Sequence, residues 1–100
     1  MKVAPNKVIE TLGKSVLVDG FHVVADTEKS SGSWIVDAST GKKYLDCYSQ
    51  FASQALGWNH PALVSATEEL GLVAKHKLAN SDMYSSQYAE FTESFSKITP

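Results

Sequence analysis

Few side chains in this sequence could do chemistry without help from other groups. The three histidines, His22, His60 and His76, lack the spacing of metal ligands, and Cys47 is the only cysteine. Zinc sites draw on Cys and His residues at short, regular separations. The glycines form neither a G-x-G-x-x-G fingerprint nor a P-loop, and no G-x-S-x-G elbow is present. The sequence therefore predicts no metal site, no phosphate loop of these kinds and no serine hydrolase.

The most informative passage runs from Tyr44 to Pro61. A strand-like run ends near Tyr48, and an aperiodic loop of small and amide residues follows it. Gly57 predicts a tight turn, and Pro61 is typical of the first position of a helix. Loops held between rigid elements are frequent binding walls. The residues alone leave two interpretations open, a binding wall and a well-packed connector.

The elements before this loop predict the first half of an α+β fold. Pro5 and the apolar spacing after it predict a short helix over residues 5–15. Three strand-like runs within residues 21–48 predict a three-stranded antiparallel meander, with Trp34, Tyr44 and Tyr48 in the core of the sheet. The last two runs form the better-supported hairpin, because a turn signal that contains Gly41 separates them.

Two helices are predicted after the loop, from Pro61 to about Leu78 and over residues 84–98. The second helix has a strongly aromatic face made of Tyr84, Tyr88, Phe91, Phe95 and Ile98. Nothing later in the sequence could cover that face, and exposed apolar surface of this size usually marks a missing partner surface. We therefore expect the chain to be the N-terminal part of a larger or obligately assembled protein.

Composition limits the class of protein. Of the 100 residues, 43% are hydrophobic and 20% are charged, which is typical of a globular chain and argues against disorder. The formal net charge of −2 gives no electrostatic case for binding nucleic acid or an anionic membrane. The N-terminus has no signal-peptide core, and no apolar run is long enough to span a membrane. A single cysteine favours a reducing compartment, so we expect a cytoplasmic protein.

Three segments of the passage from Tyr44 onward form an ordered series, namely Tyr44-Leu45-Asp46, Ala55-Leu56-Gly57 and Asn59-His60-Pro61-Ala62-Leu63-Val64. This series resembles the class III pyridoxal-phosphate-dependent aminotransferases. That family has an aromatic-x-Asp strand, a loop, and then L-G-x-x-H-P at the start of a helix. The wider series is most similar to the L-lysine 6-aminotransferase subgroup. It includes Leu17–Phe21, Gly32–Ala38, Thr40–Asp46, Phe51–Ser53 and Asn80–Ser85.

The resemblance implies a fold type I, pyridoxal 5′-phosphate-dependent transferase, usually a homodimer. Residues 1–60 would be an N-terminal small-domain segment, and residues 61–100 would be helices that lead into the large cofactor-binding domain. The implied reaction moves the terminal amino group of L-lysine to 2-oxoglutarate, giving glutamate and 2-aminoadipate 6-semialdehyde. The chain has no arginine, and none of its nine lysines matches the cofactor-bearing position of the family. We therefore expect no catalytic, cofactor-binding or metal-binding residue here, pyridoxal phosphate held by residues beyond position 100, and an inactive isolated chain.

The same resemblance implies four substrate-binding residues. Phe51 matches a pocket position where ornithine-type relatives carry tyrosine, so it would offer the lysine chain an apolar wall without a hydroxyl donor. Ala52 and Ser53 flank it and would line the same wall. Tyr84 matches a second pocket aromatic, whose hydroxyl could reach a carboxylate or the cofactor side. The bland alternative for both aromatic residues is ordinary packing.

Two other functions stay open at this point. One is another ω-aminotransferase, acting on ornithine, acetylornithine or 4-aminobutyrate. The other is a non-enzymatic, self-standing α+β interaction module that merely shares the segment. The module would be a cooperatively folded monomer without dye-binding apolar surface.

Overall fold

The computed structural model describes residues 2–79 and 81–99. The chain divides into two compact units, Met1–Pro61 and Ala62–Pro100. The first unit contains the strands and the loop between Tyr44 and Pro61, and the second contains the helices that follow. The assignment of these parts to the domains of an aminotransferase stays a prediction.

The first unit begins with a short helical segment. A 3-10 turn at Pro5–Lys7 leads into helix α1, Val8–Leu12, which stops before Gly13. An exposed ion pair joins Lys7 Nζ and Glu10 Oε2 at 2.7 Å. The helix is shorter than the predicted span of residues 5–15. It buries no side chain, and short helices without tertiary packing are marginal in water.

Two antiparallel strands form the sheet, β1 at Trp34–Val36 and β2 at Lys43–Leu45. Their register pairs Trp34 with Leu45, Ile35 with Tyr44 and Val36 with Lys43. The hairpin predicted for these two runs is therefore confirmed, although β2 ends before Cys47 and Tyr48.

The predicted three-stranded meander is wrong in its first strand. Among the described residues, the run over residues 21–26 contributes only an isolated bridge between Ala25 and Asp37. Asp26 N donates to Val36 O at 2.8 Å and Ala38 N donates to Val24 O at 2.7 Å. Pairing does not extend further, because the amide of Val24 is directed at the Asp37 carboxylate, with 3.3 Å from N to Oδ1. On the other side of the bridge, Asp26 begins a turn instead of continuing the ladder.

The core of the first unit is small and differs from the predicted one. Its buried apolar side chains among the described residues are Val36 and the loop residue Trp58. Trp34, Tyr44 and Tyr48, which we expected in the core, are exposed. The expectation failed because two three-residue strands present little covered surface, and Trp58 packs into the core in place of the strand aromatics.

The helix predicted for residues 61–78 is two helices, α2 at Pro61–Ser65 and α3 at Thr67–Ala74. Ala66 between them has φ −94° and ψ 15°. Nearby hydroxyls take backbone carbonyls as partners, with Ser65 Oγ donating to Ala62 O at 3.0 Å and Thr67 Oγ1 donating to Val64 O at 2.7 Å. Such bonds compete with the helical ladder and favour a break.

Helix α4, Ser86–Ser96, is the longest element. Ser85 is its N-cap, since its Oγ accepts a hydrogen bond from Tyr88 N at 3.2 Å. None of the described residues of the second unit is buried. Within the described parts of the chain, no helix has the length and apolarity needed to cross a membrane.

Candidate functional site

The loop after β2 contains a left-handed turn. Ser49, Gln50, Phe51 and Ala52 have φ values of 48°, 52°, 57° and 60°. We call these four residues the left-handed turn. For residues with a side chain this conformation costs roughly 1–2 kcal/mol each and normally occurs at single positions. Because natural domains are stable by only about 5–15 kcal/mol, the surrounding structure must hold the turn in place.

The carboxylate of Asp46 holds the entrance of the turn and the end of the loop together. Its Oδ1 accepts hydrogen bonds from Tyr48 N at 3.0 Å and from Ser49 N at 2.7 Å. Its Oδ2 accepts a hydrogen bond from Trp58 Nε1 at 2.8 Å. Both oxygens are thus used, one for each end of the loop. We call this set of bonds the Asp46 clamp.

The clamp favours the ionised form of Asp46. The Ser49 amide, followed by the Trp58 indole and the Tyr48 amide, holds the pKa of this carboxyl below its ordinary value of 3.8. Hydrogen bonds to a charged acceptor are shorter and stronger than those between neutral groups. The clamp is therefore intact at neutral pH.

The end of the loop is anchored to the segment before β1. Gly32 N donates to Trp58 O at 2.8 Å, and Trp58 N donates to Gly32 O at 2.9 Å. Gly57 has φ +74°, and a Cβ atom there would lie 2.6 Å from Gly32 O. Only glycine fits at that point, which is why the tight turn predicted there can pack so closely.

Bonds inside the turn involve one of the predicted site residues. Ser53 Oγ donates to Gln50 O at 2.6 Å, and Ser53 N donates to the same oxygen at 3.2 Å. Gln54 N donates to Ser49 O at 3.1 Å. The hydroxyl proton of Ser53 therefore stabilises the turn, and its oxygen keeps acceptor capacity.

Phe51 projects from this turn and is 87% exposed. Its ring lies 4.8 Å from the ring of Tyr48 at an interplanar angle of 65°, and Tyr48 lies 5.6 Å from the ring of Phe21 at 81°. Both pairs have the edge-to-face geometry that aromatic rings favour. Phe21, Tyr48 and Phe51 thus form a surface row of aromatic rings, called here the aromatic row.

Two open grooves run beside the aromatic row. One, of about 530 Å³, includes Phe21, Ile35, Tyr44 and Tyr48. The other, of about 850 Å³, has the lining residues Asp19, Gly20, Phe21, Val23, Ala25, Ile35, Tyr48, Gln50, Phe51 and Trp58. No lysine lines either groove. These surfaces suit an apolar chain more than a carboxylate group.

The structure places three of the four predicted site residues on one short segment. Phe51, Ala52 and Ser53 are consecutive and exposed. Tyr84 lies in the second unit, two residues before α4, and is 80% exposed. A separate groove of about 600 Å³ in that unit is lined by residues that include Tyr88 and Phe91 but not Tyr84.

Sequence reasoning missed the residues that hold the loop. Asp46 was named only within a family motif and Trp58 was not singled out, yet the two residues form the clamp. An Asp that directly follows a strand and precedes a loop is a signal of local side-chain to backbone bonding. That signal could have identified Asp46. No sequence signal indicates the bond from the Trp58 indole, because Trp58 lies twelve positions after Asp46.

The chemistry available at this site is binding. Among residues 2–79 and 81–99, no group of three His, Cys, Asp or Glu side chains could hold a metal ion. The absence of a metal site stays a prediction. The exposed aromatic row and the grooves beside it point to contact with an apolar segment.

Comparisons with known proteins agree on one family. The family model described as aminotransferase class III matches residues 16–100. An L-lysine-epsilon aminotransferase of Mycobacterium bovis is 48% identical over 97 residues, covering 94% of this chain and 22% of the relative. A 4-aminobutyrate aminotransferase of Kluyveromyces lactis is 53% identical over 47 residues, covering 47% of this chain and 10% of the relative.

A solved structure has the same fold over this region. The lysine aminotransferase from M. tuberculosis in the internal aldimine form superposes with a TM-score of 0.86 at 47% identity. The match covers 96% of this chain and 23% of that chain. The chain therefore spans less than a quarter of the length of the lysine-type proteins that it matches.

Proposed function

The chain belongs to the class III aminotransferase family, and on this premise we propose that it is the N-terminal part of an L-lysine 6-aminotransferase. The reaction moves the terminal amino group of L-lysine to 2-oxoglutarate and gives glutamate and 2-aminoadipate 6-semialdehyde. The main support is the extent of similarity, since the lysine-type relative matches 94% of the chain and the 4-aminobutyrate-type relative matches 47%.

The cofactor of this proposal is pyridoxal 5′-phosphate, which when bound carries the amino group from one substrate to the other. The described residues do not fit it. The chain has no arginine, and no lysine lines the grooves beside Phe51. An aldehyde and a phosphate need a lysine and an anion site in one pocket. We therefore assign cofactor binding to residues beyond position 100, and this chain alone is expected to be inactive.

The role of this chain is to supply one wall of the pocket for the amino donor. Phe51 is the central residue, because its ring is exposed and supported on one side by Tyr48. Removing the methylene groups of a lysine chain from water contributes about 0.8 kcal/mol for each CH₂. The single observation that carries this role is the left-handed turn. It holds the Phe51 ring exposed to solvent in a backbone conformation that is unfavourable for residues with a side chain.

Three further assignments complete the proposal. Ala52 and Ser53 continue the wall, with Ser53 also holding the turn through its bond to Gln50. Tyr84 would add an exposed phenol from the second unit, since tyrosine combines an apolar ring with a polar tip. Its hydroxyl would meet the substrate carboxylate or the cofactor side.

Assembly and location follow the family expectation. We assign the protein to a homodimer in the cytoplasm, with amino acid and 2-oxoglutarate as small-molecule partners. Support for a larger assembly comes from α4, where Phe91 and Phe95 stack at 5.5 Å and are 61% and 50% exposed. A self-standing interaction module fits this poorly, because such exposed aromatic surface needs a covering partner.

The first experiment identifies the amino donor. The full-length enzyme is assayed with 2-oxoglutarate and with L-lysine, L-ornithine, N-acetylornithine or 4-aminobutyrate as donor. We expect kcat/KM to be highest for L-lysine. A higher value for 4-aminobutyrate would instead support the second candidate, which the Kluyveromyces relative favours.

A second experiment tests the wall. Phe51→Ala in the full-length enzyme should lower kcat/KM for L-lysine about tenfold, while the value for the shorter donor glutamate changes less than about twofold. Phe51→Leu keeps apolar bulk and should recover most of the loss. Leu17→Ala is the control, since Leu17 is an apolar residue that is 84% exposed and belongs to neither the proposed wall nor the aromatic face of α4. Equal losses for both donors in Phe51→Ala would contradict the proposed contact.

A further inference from the structure

The conformation of the left-handed turn depends on very few contacts. Phe51 is 87% exposed, and its ring contact is with Tyr48, which belongs to the same loop. No packed core therefore fixes the direction of the Phe51 side chain. The backbone of the turn must fix it, and the backbone is held from outside the turn by the Asp46 clamp.

We propose that Asp46 is a positioning residue for Phe51, acting through the Tyr48 and Ser49 amides on one oxygen and the Trp58 indole on the other. The inference rests on the proposed function, in which Phe51 contacts the amino donor. Asp46 does not touch substrate in this account. It sets the direction of the ring that does.

Both oxygens of Asp46 are needed because the two ends of the loop present only donors. The Ser49 amide is 2.7 Å from Oδ1 and the Trp58 indole nitrogen is 2.8 Å from Oδ2. An asparagine has one acceptor oxygen and one donor nitrogen. Asp46→Asn would therefore place an NH₂ group against one of these N–H donors and release one end of the loop.

Release of the entrance has a defined consequence. The four left-handed residues are each disfavoured by roughly 1–2 kcal/mol relative to right-handed backbone. Once the Tyr48 and Ser49 amides are free, relaxation toward ordinary backbone angles reorients the Cα–Cβ bond of Phe51. The ring then leaves the groove of about 850 Å³ that it lines now.

Trp58 anchors the Asp46 clamp rigidly, because its own side chain and backbone are held by the first unit. Trp58 is 8% exposed, and its backbone is paired in both directions with Gly32. The indole is therefore held in one position. Asp46 accepts a hydrogen bond from the indole and another from the Ser49 amide, so it links the position of the turn to that of the indole. Asp46 N in turn donates to Ser33 O at 2.8 Å, so the clamp itself is tied to the segment before β1.

The test is a double-mutant cycle in the full-length enzyme with Asp46→Asn and Phe51→Ala. Asp46→Asn should raise KM for L-lysine about tenfold while kcat and KM for 2-oxoglutarate change less than about twofold. In the Phe51→Ala background the same substitution should change KM for L-lysine less than about twofold, because the ring that it positions is gone.

Asp26→Asn is the matched control. Asp26 also caps a turn, accepting from Glu28 N at 3.2 Å and Lys29 N at 3.0 Å. The substitution removes the same negative charge away from the loop, while the amide oxygen of asparagine still accepts both backbone bonds, which go to the single oxygen Oδ1. It should leave KM for L-lysine within about twofold of the unchanged enzyme.

The outcomes separate the two proposals. No effect of Phe51→Ala on L-lysine would refute the proposed contact itself. A normal Phe51→Ala effect, with Asp46→Asn acting equally in both backgrounds or acting like Asp26→Asn, would overturn the positioning role alone. If Asp46→Asn does not fold, Trp58→Phe decides, since it removes the indole donor and keeps an aromatic ring at this buried position. It should raise KM for L-lysine about threefold, and no change would count against the clamp.

Discussion

Two chain reversals flank strand β2, and they differ in the residues that adopt positive φ. The first, between β1 and β2, places a glycine at the position of positive φ, with Gly41 at +73°. The second, after β2, uses four residues with side chains at φ 48–60°. Both begin at an aspartate whose carboxylate accepts backbone amides, Asp37 in the first and Asp46 in the second.

The difference shows what each reversal is for. Glycine adopts positive φ without a steric penalty, so the first reversal joins two strands at low cost. The second keeps side chains where glycine would be more stable, and one of those side chains is the exposed ring of Phe51. Strain of this kind is concentrated at sites where function depends on a particular geometry. We therefore infer that the second reversal serves to hold the Phe51 ring exposed in a defined orientation.

The largest expected effect concerns the anchor of the second reversal. Gly57→Ala should lower the free energy of unfolding of the full-length enzyme by about 3 kcal/mol, since it combines positive φ with overpacking. The new Cβ would meet Gly32 O at 2.6 Å. Urea unfolding measures the change. Gly20→Ala is the control, because nothing lies within 4 Å of its Cβ position, and equal costs at both glycines would contradict the close packing.

A reciprocal pair of substitutions compares the two reversals directly. Gly41→Ala should destabilise the enzyme by about 1 kcal/mol, because its Cβ meets open space and only φ is unfavourable. Ala52→Gly should stabilise it by up to about 1 kcal/mol, since φ 60° suits glycine. Ala55→Gly, in the same loop but without positive φ, should be slightly destabilising. Destabilisation by Ala52→Gly would show that the turn is unstrained.

Activity should move in the opposite direction from stability. Ala52→Gly frees the backbone next to Phe51, so kcat/KM for L-lysine should fall about threefold although the fold is more stable. Gly41→Ala should leave kcat/KM unchanged despite its cost in stability. Steady-state kinetics of the two variants measure this. Parallel changes of stability and activity would remove the distinction between the reversals.

The smallest effect concerns pH. The Thr40 hydroxyl and the Ser39 amide lower the pKa of Asp37, and the Ser49 amide and Trp58 indole lower that of Asp46, each from 3.8. A depressed pKa adds stability that is fully present above pH 3.8 and is lost as pH falls through the folded-state pKa. Asp37→Asn and Asp46→Asn should each flatten the acid-unfolding profile below pH 3.8. Unchanged profiles would contradict the bonding, and only Asp46→Asn should also alter KM for L-lysine.

How far the sequence predicts the fold depends on the element. The hairpin around Gly41 is predictable because local turn chemistry encodes it. The predicted first strand, within residues 21–26, is reduced to an isolated bridge because the Asp37 side chain accepts the amide of Val24, which periodicity does not reveal. The break at Ala66 is similar, since it depends on hydroxyls that bond to carbonyls in the preceding turn.

The site was predictable only through family resemblance. Phe51 is an apolar residue in a short loop, and composition alone would place it in a core. Its exposure follows from the left-handed turn, and nothing in the identities of Ser49, Gln50 and Ala52 indicates positive φ. The turn depends on Trp58, which is distant in sequence. Longer-range bonds of this kind are what single-sequence reasoning cannot supply.

One structure tests the central claim most directly, a crystal structure of the full-length enzyme with an unreactive L-lysine analogue bound. We predict that Ser49–Ala52 keep positive φ, that Asp46 keeps its bonds to Ser49 and Trp58, and that the Phe51 ring contacts the methylene chain of the ligand at about 4 Å. A bound ligand away from Phe51, or a right-handed turn that buries this ring in the protein, would contradict the account.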